Sequence, residues 1–165
     1  MDLKLEGKIA LVTGSSKGIG EGIAHGLARE GVVVVVHGRN RAKTEQVAHD
    51  IIAKGGRAHV VLGDLTLEGE VHRLTTEVQA FGRPVDIVVN NAGGSGGTED
   101  WTTTRSETWA SGYNRNVLAA VRITSRLLPA MREAKWGRIV NISSLAGMMP
   151  PAGRPDYAAP KACRI

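Results

Sequence analysis

Short runs in which nearly every residue is apolar alternate along the chain with longer stretches in which apolar residues recur every three or four positions. The first kind reads as strand and the second as amphipathic helix. The runs Ile9–Val12, Val32–His37, Ala58–Leu62, Asp86–Asn90 and Arg138–Ser143 predict strands. Between them, Gly18–Arg29, Arg41–Lys54, Leu67–Phe81 and Asn114–Lys135 predict helices, with a shorter one starting near Thr104. Ile19, Ile23 and Leu27 show the helical spacing in the first of these. Strands that are apolar throughout, instead of alternating, belong to a parallel sheet covered by helices on both faces. The pattern predicts an α/β fold, a doubly wound parallel sheet in a single domain over residues 1–165. Pro129 lies inside the fourth long helix, where its missing N–H predicts a bend. The Gly/Ser/Thr-rich stretch 93–104 predicts a loop.

Composition narrows this picture. A chain of 165 residues can enclose one core. With 42% hydrophobic but only 4% aromatic residues, that core must be aliphatic. The net charge of +5 comes from basic residues dispersed among acidic ones, with no basic block interleaved with aromatics, so no nucleic-acid partner is expected. The opening MDLKLEGKIALV has no basic leader, and the longest apolar run, Val32–Val36, is too short to cross a bilayer. The expectation is a soluble, cytoplasmic protein with no membrane partner. Cys163 is the single cysteine, which excludes an internal disulfide and a thiolate zinc cage. His25, His37, His49, His59 and His72 lack metal-ligand spacing, so they read as ordinary surface or core residues and no metal site is expected.

Candidate chemistry begins at VTGSSKGIGEGIA, residues 12–24, which leaves the first strand and opens the first helix. Gly14, Gly18 and Gly20 stand where a tight turn, a close backbone approach to a pyrophosphate and close helix–strand contact each require glycine. The phosphate would then meet the unpaired N–H groups of the helix N-terminus. At the end of the second strand, an NAD site needs a carboxylate for the ribose 2′-hydroxyl and an NADP site needs a cation for the 2′-phosphate. VVVVVHGRN, residues 32–40, offers no acid there but has Arg39, and Lys17 sits in the glycine loop. Each cation alone reads as a surface residue; together they favour NADP over NAD.

Six motifs occur in order: TGSSKGIG at 13–20, GDLT at 63–66, NNAG at 90–93, Asn116 in YNRNVLA, IVNISS at 139–144, and Tyr157-x-x-x-Lys161. Together they resemble the short-chain dehydrogenase/reductase superfamily, in the branch that includes the 3-oxoacyl-carrier-protein reductases, over essentially the whole chain. The resemblance implies a Rossmann-like fold and an NADPH-dependent oxidoreductase acting on a small carbonyl or alcohol substrate. It implies that Gly14, Ser16, Lys17, Gly18, Ile19, Gly20, Arg39 and Leu65 bind the cofactor and that Asp64 meets its adenine. Asn90, Ala92 and Gly93 would line its path past the fourth strand. Ser144, chosen over Ser143 by its separation from the tyrosine, would orient the substrate carbonyl. Tyr157 would pass the proton, Lys161 would hold the nicotinamide ribose, and Asn116 would position a water linked to Lys161. Independent chemistry supports the pair. A free phenol, with a pKa of about 10, is a poor proton donor to exchange near neutrality, and an ammonium one helical turn away stabilises its phenolate. In that reading Pro160 falls in the first turn of a helix beginning at the tyrosine, where no intrahelical N–H is needed.

The loop 94–101 and AGMMPPAGR, 146–154, are candidates for the substrate pocket, with Met148 and Met149 as an apolar, adaptable wall; ordinary loop contacts account for them equally well. Family members normally continue well beyond the tyrosine–lysine motif. The resemblance therefore implies a truncated chain, incomplete at the C-terminal side of the sheet, without the further strands and the segment that closes over substrate. The fifth strand would then be an uncovered edge and the last helix about two turns long, too short to be stable without tertiary contacts. On this expectation the isolated chain reduces substrates poorly, and the alternative reading is an inactive NADP-binding module. Family dimers and tetramers form through the helices holding Asn116 and Tyr157, which implies a homo-oligomer for a full-length chain.

Overall fold

The computed structural model describes residues 3–97 and 100–165. Met1 and Asp2 of the opening segment, and Thr98 and Glu99 of the 94–101 loop, lie outside the described residues. Strands are β1 (Ile9–Val12), β2 (Val33–Gly38), β3 (Arg57–Leu62), β4 (Ile87–Asn90) and β5 (Arg138–Asn141). Helices are α1 (Gly18–Arg29), α2 (Arg41–Ala53), α3 (Glu68–Gln79), α4 (Ser106–Tyr113), α5 (Ala119–Glu133) and α6 (Pro155–Ala162). All strand pairs are parallel, in the order β3-β2-β1-β4-β5. The chain moves outward from β1 to β3 and then crosses back to β4 on the other side of β1. In a sheet of this kind the crevice opens at that switch point, beyond the C-terminal ends of β1 and β4.

Both faces of the sheet are covered at its centre, where β1, β2 and β4 are buried. Along β1, Ile9 and Leu11 join a cluster with Val71, Leu74 and Val78 of α3 and Ile123, Leu127 and Met131 of α5. Ala10 and Val12 point the other way, to Ala24 of α1 and Val47, Ala48 and Ile51 of α2. The core is aliphatic, and each such side chain taken fully from water contributes roughly 1.5–3 kcal/mol before chain entropy is counted. β5 forms the sheet edge and is exposed along its length, with Ile139 at 39% and Val140 at 43%. Among the described residues, no helix is long and apolar enough to cross a membrane.

The element boundaries depart from the sequence pattern in places that have physical causes. β2 runs on to Gly38 because β3 supplies a partner there, Leu62. β5 stops at Asn141, short of Ser143, because β4 ends opposite it at Asn90. The helix expected near Thr104 starts at Ser106, after a turn in which Asp100 Oδ1 accepts from the N–H groups of Thr102 and Thr103. That helix and the next are not separate: a π turn, Asn114–Leu118, joins α4 to α5. α5 passes through Pro129 without ending. α6 begins at Pro155 and not at Tyr157. Pro160 therefore lies inside the helix, beyond its first turn, and removes the donor that would have met the Asp156 carbonyl. That carbonyl instead abuts Gly112 of α4, where a Cβ would lie 2.6 Å from it.

Candidate functional site

The glycine loop is held by short side chains at its base. Thr13 Oγ1 donates to the Val89 carbonyl at 3.1 Å and accepts from the N–H groups of Asn91 and Ala92, each at 3.0 Å, which ties the end of β1 to the segment after β4. Asn91 Nδ2 returns the tie by donating to the carbonyls of Thr13 and Gly14 at 2.9 and 3.0 Å. Gly14 and Gly18 have φ of +64° and +61°, a region closed to most side chains. Gly20 is excluded from change for another reason: a Cβ there would lie 2.5 Å from the Gly14 carbonyl oxygen. Lys17 caps α1 in an extended conformation with no side-chain cap bond, so the first turn keeps its N–H groups for an anion.

A crevice of about 210 Å³ opens above this loop. Gly14, Ser16, Lys17, Arg39, Asp64, Leu65, Ala92 and Gly93 line it, so eight of the sequence candidates meet in one place. Gly18, Ile19 and Gly20 do not line it: Ile19 is exposed on the first turn of α1, and Gly20 is buried beneath the loop. The Asn90 side chain also turns away, donating to Thr124 Oγ1 at 3.1 Å and Asn141 Oδ1 at 3.0 Å, which joins β4 to α5 and β5. His37, Arg115 and Asn91, which the sequence candidates omit, line the crevice too. For His37 a signal existed, a polar residue at the end of a run of buried valines.

Asp64 Oδ1 accepts from the Thr66 N–H at 2.9 Å and its hydroxyl at 2.7 Å, while Oδ2 stands 3.5 Å from Arg39 Nη1. Partial burial pushes the carboxyl up, but the Thr66 hydrogen bonds and the Arg39 charge outweigh it and hold the group below its usual range. Among the described residues Arg39 is held only by this long, exposed pair, which leaves its guanidinium able to meet another anion.

The second group gathers where α6 meets the segment after β5. Lys161 Nζ lies 5.7 Å from the centre of the Tyr157 ring and donates to the Ile142 carbonyl at 3.0 Å. The two serines have different roles. Ser143 Oγ donates to the Lys161 carbonyl at 2.6 Å, whereas Ser144 Oγ accepts from the Ala146 N–H at 3.2 Å and its proton has no acceptor among the described residues. Asn116, in the π turn, is buried. Its Oδ1 accepts from the Gly94 N–H at 2.9 Å, and its Nδ2 donates to the carbonyls of Gly94 at 3.0 Å and Gly112 at 2.9 Å. No hydrogen bond joins Asn116 to Lys161 among the described residues. Arg164, also buried, donates to the carbonyls of Ala92 and Asn90. Met148 and Met149 stand out in solvent, 72% and 71% exposed. No cluster of three or more His, Cys, Asp or Glu residues able to hold a metal ion occurs among the described residues.

Burial, and then the charge of Arg164, push Lys161 down from 10.5 to about 8, so it still carries its proton at neutral pH. Between about 8 and 10.5 the unfolded chain holds more protons at this group than the folded one, so stability rises with pH across that window. A Lys161→Met variant is expected to lose this rise. Melting temperatures of both proteins through the window check it; parallel curves would mean that the ammonium is not buried as described.

The family model described as short chain dehydrogenase matches residues 8–164. The 3-oxoacyl-(acyl-carrier-protein) reductase of Pseudomonas aeruginosa is 37% identical over 163 residues, covering 97% of this chain and 64% of that protein. The enzyme of the same name from Aquifex aeolicus is 36% identical over 165 residues, covering 98% and 65%. Among solved structures, L-sorbose reductase from Gluconobacter frateurii, complexed with NADPH and L-sorbose, superposes with a TM-score of 0.94 at 34% identity and covers 99% of this chain and 62% of that one. A 3-oxoacyl (acyl-carrier-protein) reductase from Agrobacterium tumefaciens with NADP bound gives 0.90 at 38% identity, covering 97% and 61%. The chain thus spans less than two thirds of the length of these relatives.

Proposed function

Because this chain belongs to the short-chain dehydrogenase family, we propose that it binds NADPH in the crevice above the glycine loop and reduces a ketone or aldehyde, or oxidises the corresponding secondary alcohol. The observation that supports this best is the meeting of Lys17, at the uncapped N-terminus of α1, and Arg39 around one crevice. Those residues fit a dinucleotide carrying a 2′-phosphate. The first turn of α1 would take the pyrophosphate, Lys17 and Arg39 the 2′-phosphate, and Asp64 and Leu65 the adenine. Ala92 and Gly93 line the remaining path, and Asn90 supports it from behind, its side chain bonded to Thr124 and Asn141 and its carbonyl to Arg164.

When bound, the reduced nicotinamide supplies a hydride to the carbonyl carbon. Tyr157 donates its phenolic proton to the oxygen on which charge develops. The Lys161 ammonium stabilises the negative charge left on the phenol oxygen. Ser144, with its hydroxyl proton uncommitted, donates to the same carbonyl oxygen, where a fixed dipole is worth most. Ser143 and the Ile142 carbonyl hold Lys161 in place from its two ends. Asn116 acts through the backbone, fixing Gly94 beside the cofactor's path.

Cofactor choice tests the phosphate half of this reading. Replacing Arg39 with Asp is expected to raise the Kd for NADPH about tenfold to a hundredfold, from loss of a charge-assisted bond and gain of repulsion, while leaving NADH binding no weaker. Titration of cofactor fluorescence measures both. Equal affinity of the parent protein for NADPH and NADH would remove the assignment of Lys17 and Arg39.

A further inference from the structure

Of the five histidines, His37 alone is buried, at 3% exposure, and every polar atom it has is used. Its backbone N–H donates to Ser15 Oγ at 2.9 Å, and its carbonyl accepts from the Ser15 N–H at 2.9 Å. Its ring Nδ1 lies 3.0 Å from the Gly14 nitrogen and its Nε2 lies 3.1 Å from the Gly63 oxygen. A backbone N–H only donates and a carbonyl only accepts, so Nδ1 is the bare nitrogen and Nε2 carries the proton. One ring therefore links the glycine loop after β1, the end of β2 and the residue after β3, and all three segments line the crevice.

We propose that His37 is a positioning residue for the dinucleotide: as the neutral Nε2–H tautomer, it holds the Gly14 N–H, and with it the first turn of the glycine loop, in the geometry that receives the phosphates. This rests on the cofactor reading above and adds to it a residue that acts through Gly14. The surroundings keep the ring neutral. Burial pushes it down from 6.5 to about 4, against the Gly63 hydrogen bond and the charge of Asp64, which raise it, and Arg39 lowers it further. Asp64 follows β3, Arg39 follows β2, and Lys17 lines the same crevice from the glycine loop. Because the folded value lies below the unfolded one, the stabilising effect of the neutral ring is complete above about 6.5 and is lost as pH falls from there towards 4. A protonated ring presents a second N–H to the Gly14 N–H, so the loop loses its anchor.

Two near-isosteres separate this role from simple space filling. Asn places an acceptor where Nδ1 stands and lacks the reach to Gly63; Gln reaches Gly63 and leaves the Gly14 N–H unpaired. His37→Asn is expected to hold NADPH within about threefold of the parent, and His37→Gln to weaken it about tenfold. Long-range proton–nitrogen NMR of the unliganded protein is expected to show the neutral Nε2–H form of His37 at pH 7, persisting as pH falls below 6.5 towards 4. Equal losses in the two variants, or a His37 ring already protonated at pH 7, overturn the proposal. A parent protein that shows the Nε2–H form but binds neither dinucleotide overturns the cofactor reading, and the proposed effect on affinity with it.

Discussion

Tyr157→Phe is expected to slow carbonyl reduction by about a hundredfold to ten-thousandfold, the range for loss of a positioned general acid, with NADPH affinity unchanged within about twofold. The substitution keeps the ring, which is half-buried, and removes only the oxygen. Among the described residues the bonds that hold Lys161 do not involve that oxygen: Nζ is bound to the Ile142 carbonyl and the backbone to Ser143. The loss should therefore fall on the chemical step and spare binding. Steady-state rates at saturating NADPH, beside a fluorescence titration, separate the two. A variant that turned over at the parent rate would remove Tyr157 as the proton donor.

Gly20→Ala is expected to abolish measurable NADPH binding and to lower stability by about 1–3 kcal/mol, the usual range for forcing an atom into a filled site. The added methyl would lie 2.5 Å from the Gly14 oxygen and from Asn91 Nδ2, and 2.9 Å from Ser15 Cα. None of these can retreat freely. Gly14 is bonded to His37 through its nitrogen and to Asn91 through its oxygen, and Asn91 is also bonded to Thr13. Gly22, two residues along the same helix, has nothing within 4 Å of its position for a methyl. Gly22→Ala should raise stability by up to about 1 kcal/mol through helix propensity and leave NADPH binding intact. Denaturant melts and cofactor titrations of the pair check both halves. A Gly20→Ala protein that bound NADPH normally would mean that the loop does not require the close contact seen here.

The central strands β1, β2 and β4 were legible because burial on both faces leaves a strong mark, three to five apolar residues in succession, whereas β3 and the exposed β5 carry a weaker one. Their exact ends were less so, since a strand stops where its neighbour stops, as β5 does opposite Asn90, and no residue in IVNISS records that. Pro155 at the start of α6 is a helix-opening signal present in the chain, and it places Tyr157 and Lys161 inside the helix instead of at its mouth. The π turn had no local signal. Within it the Asn116 amide bonds the Gly112 carbonyl and the Gly94 backbone, contacts that depend on how the segment at Gly94 lies against the helix. Adjacent asparagines show the same limit within the site. Asn90 still follows the alternation of β4 and points to α5 and β5, whereas Asn91, past the strand end, turns under the glycine loop. Spacing in the chain identifies the motif, and tertiary contacts decide which member of a pair faces the crevice.

The most direct test of the account is loss of NADPH absorbance when the purified protein meets a panel of ketones and aldehydes. The account predicts consumption of NADPH faster than of NADH with at least one carbonyl of the panel, at a rate that Tyr157→Phe removes. NADPH that is bound but never oxidised across the panel would contradict it and leave a nucleotide-binding module in its place.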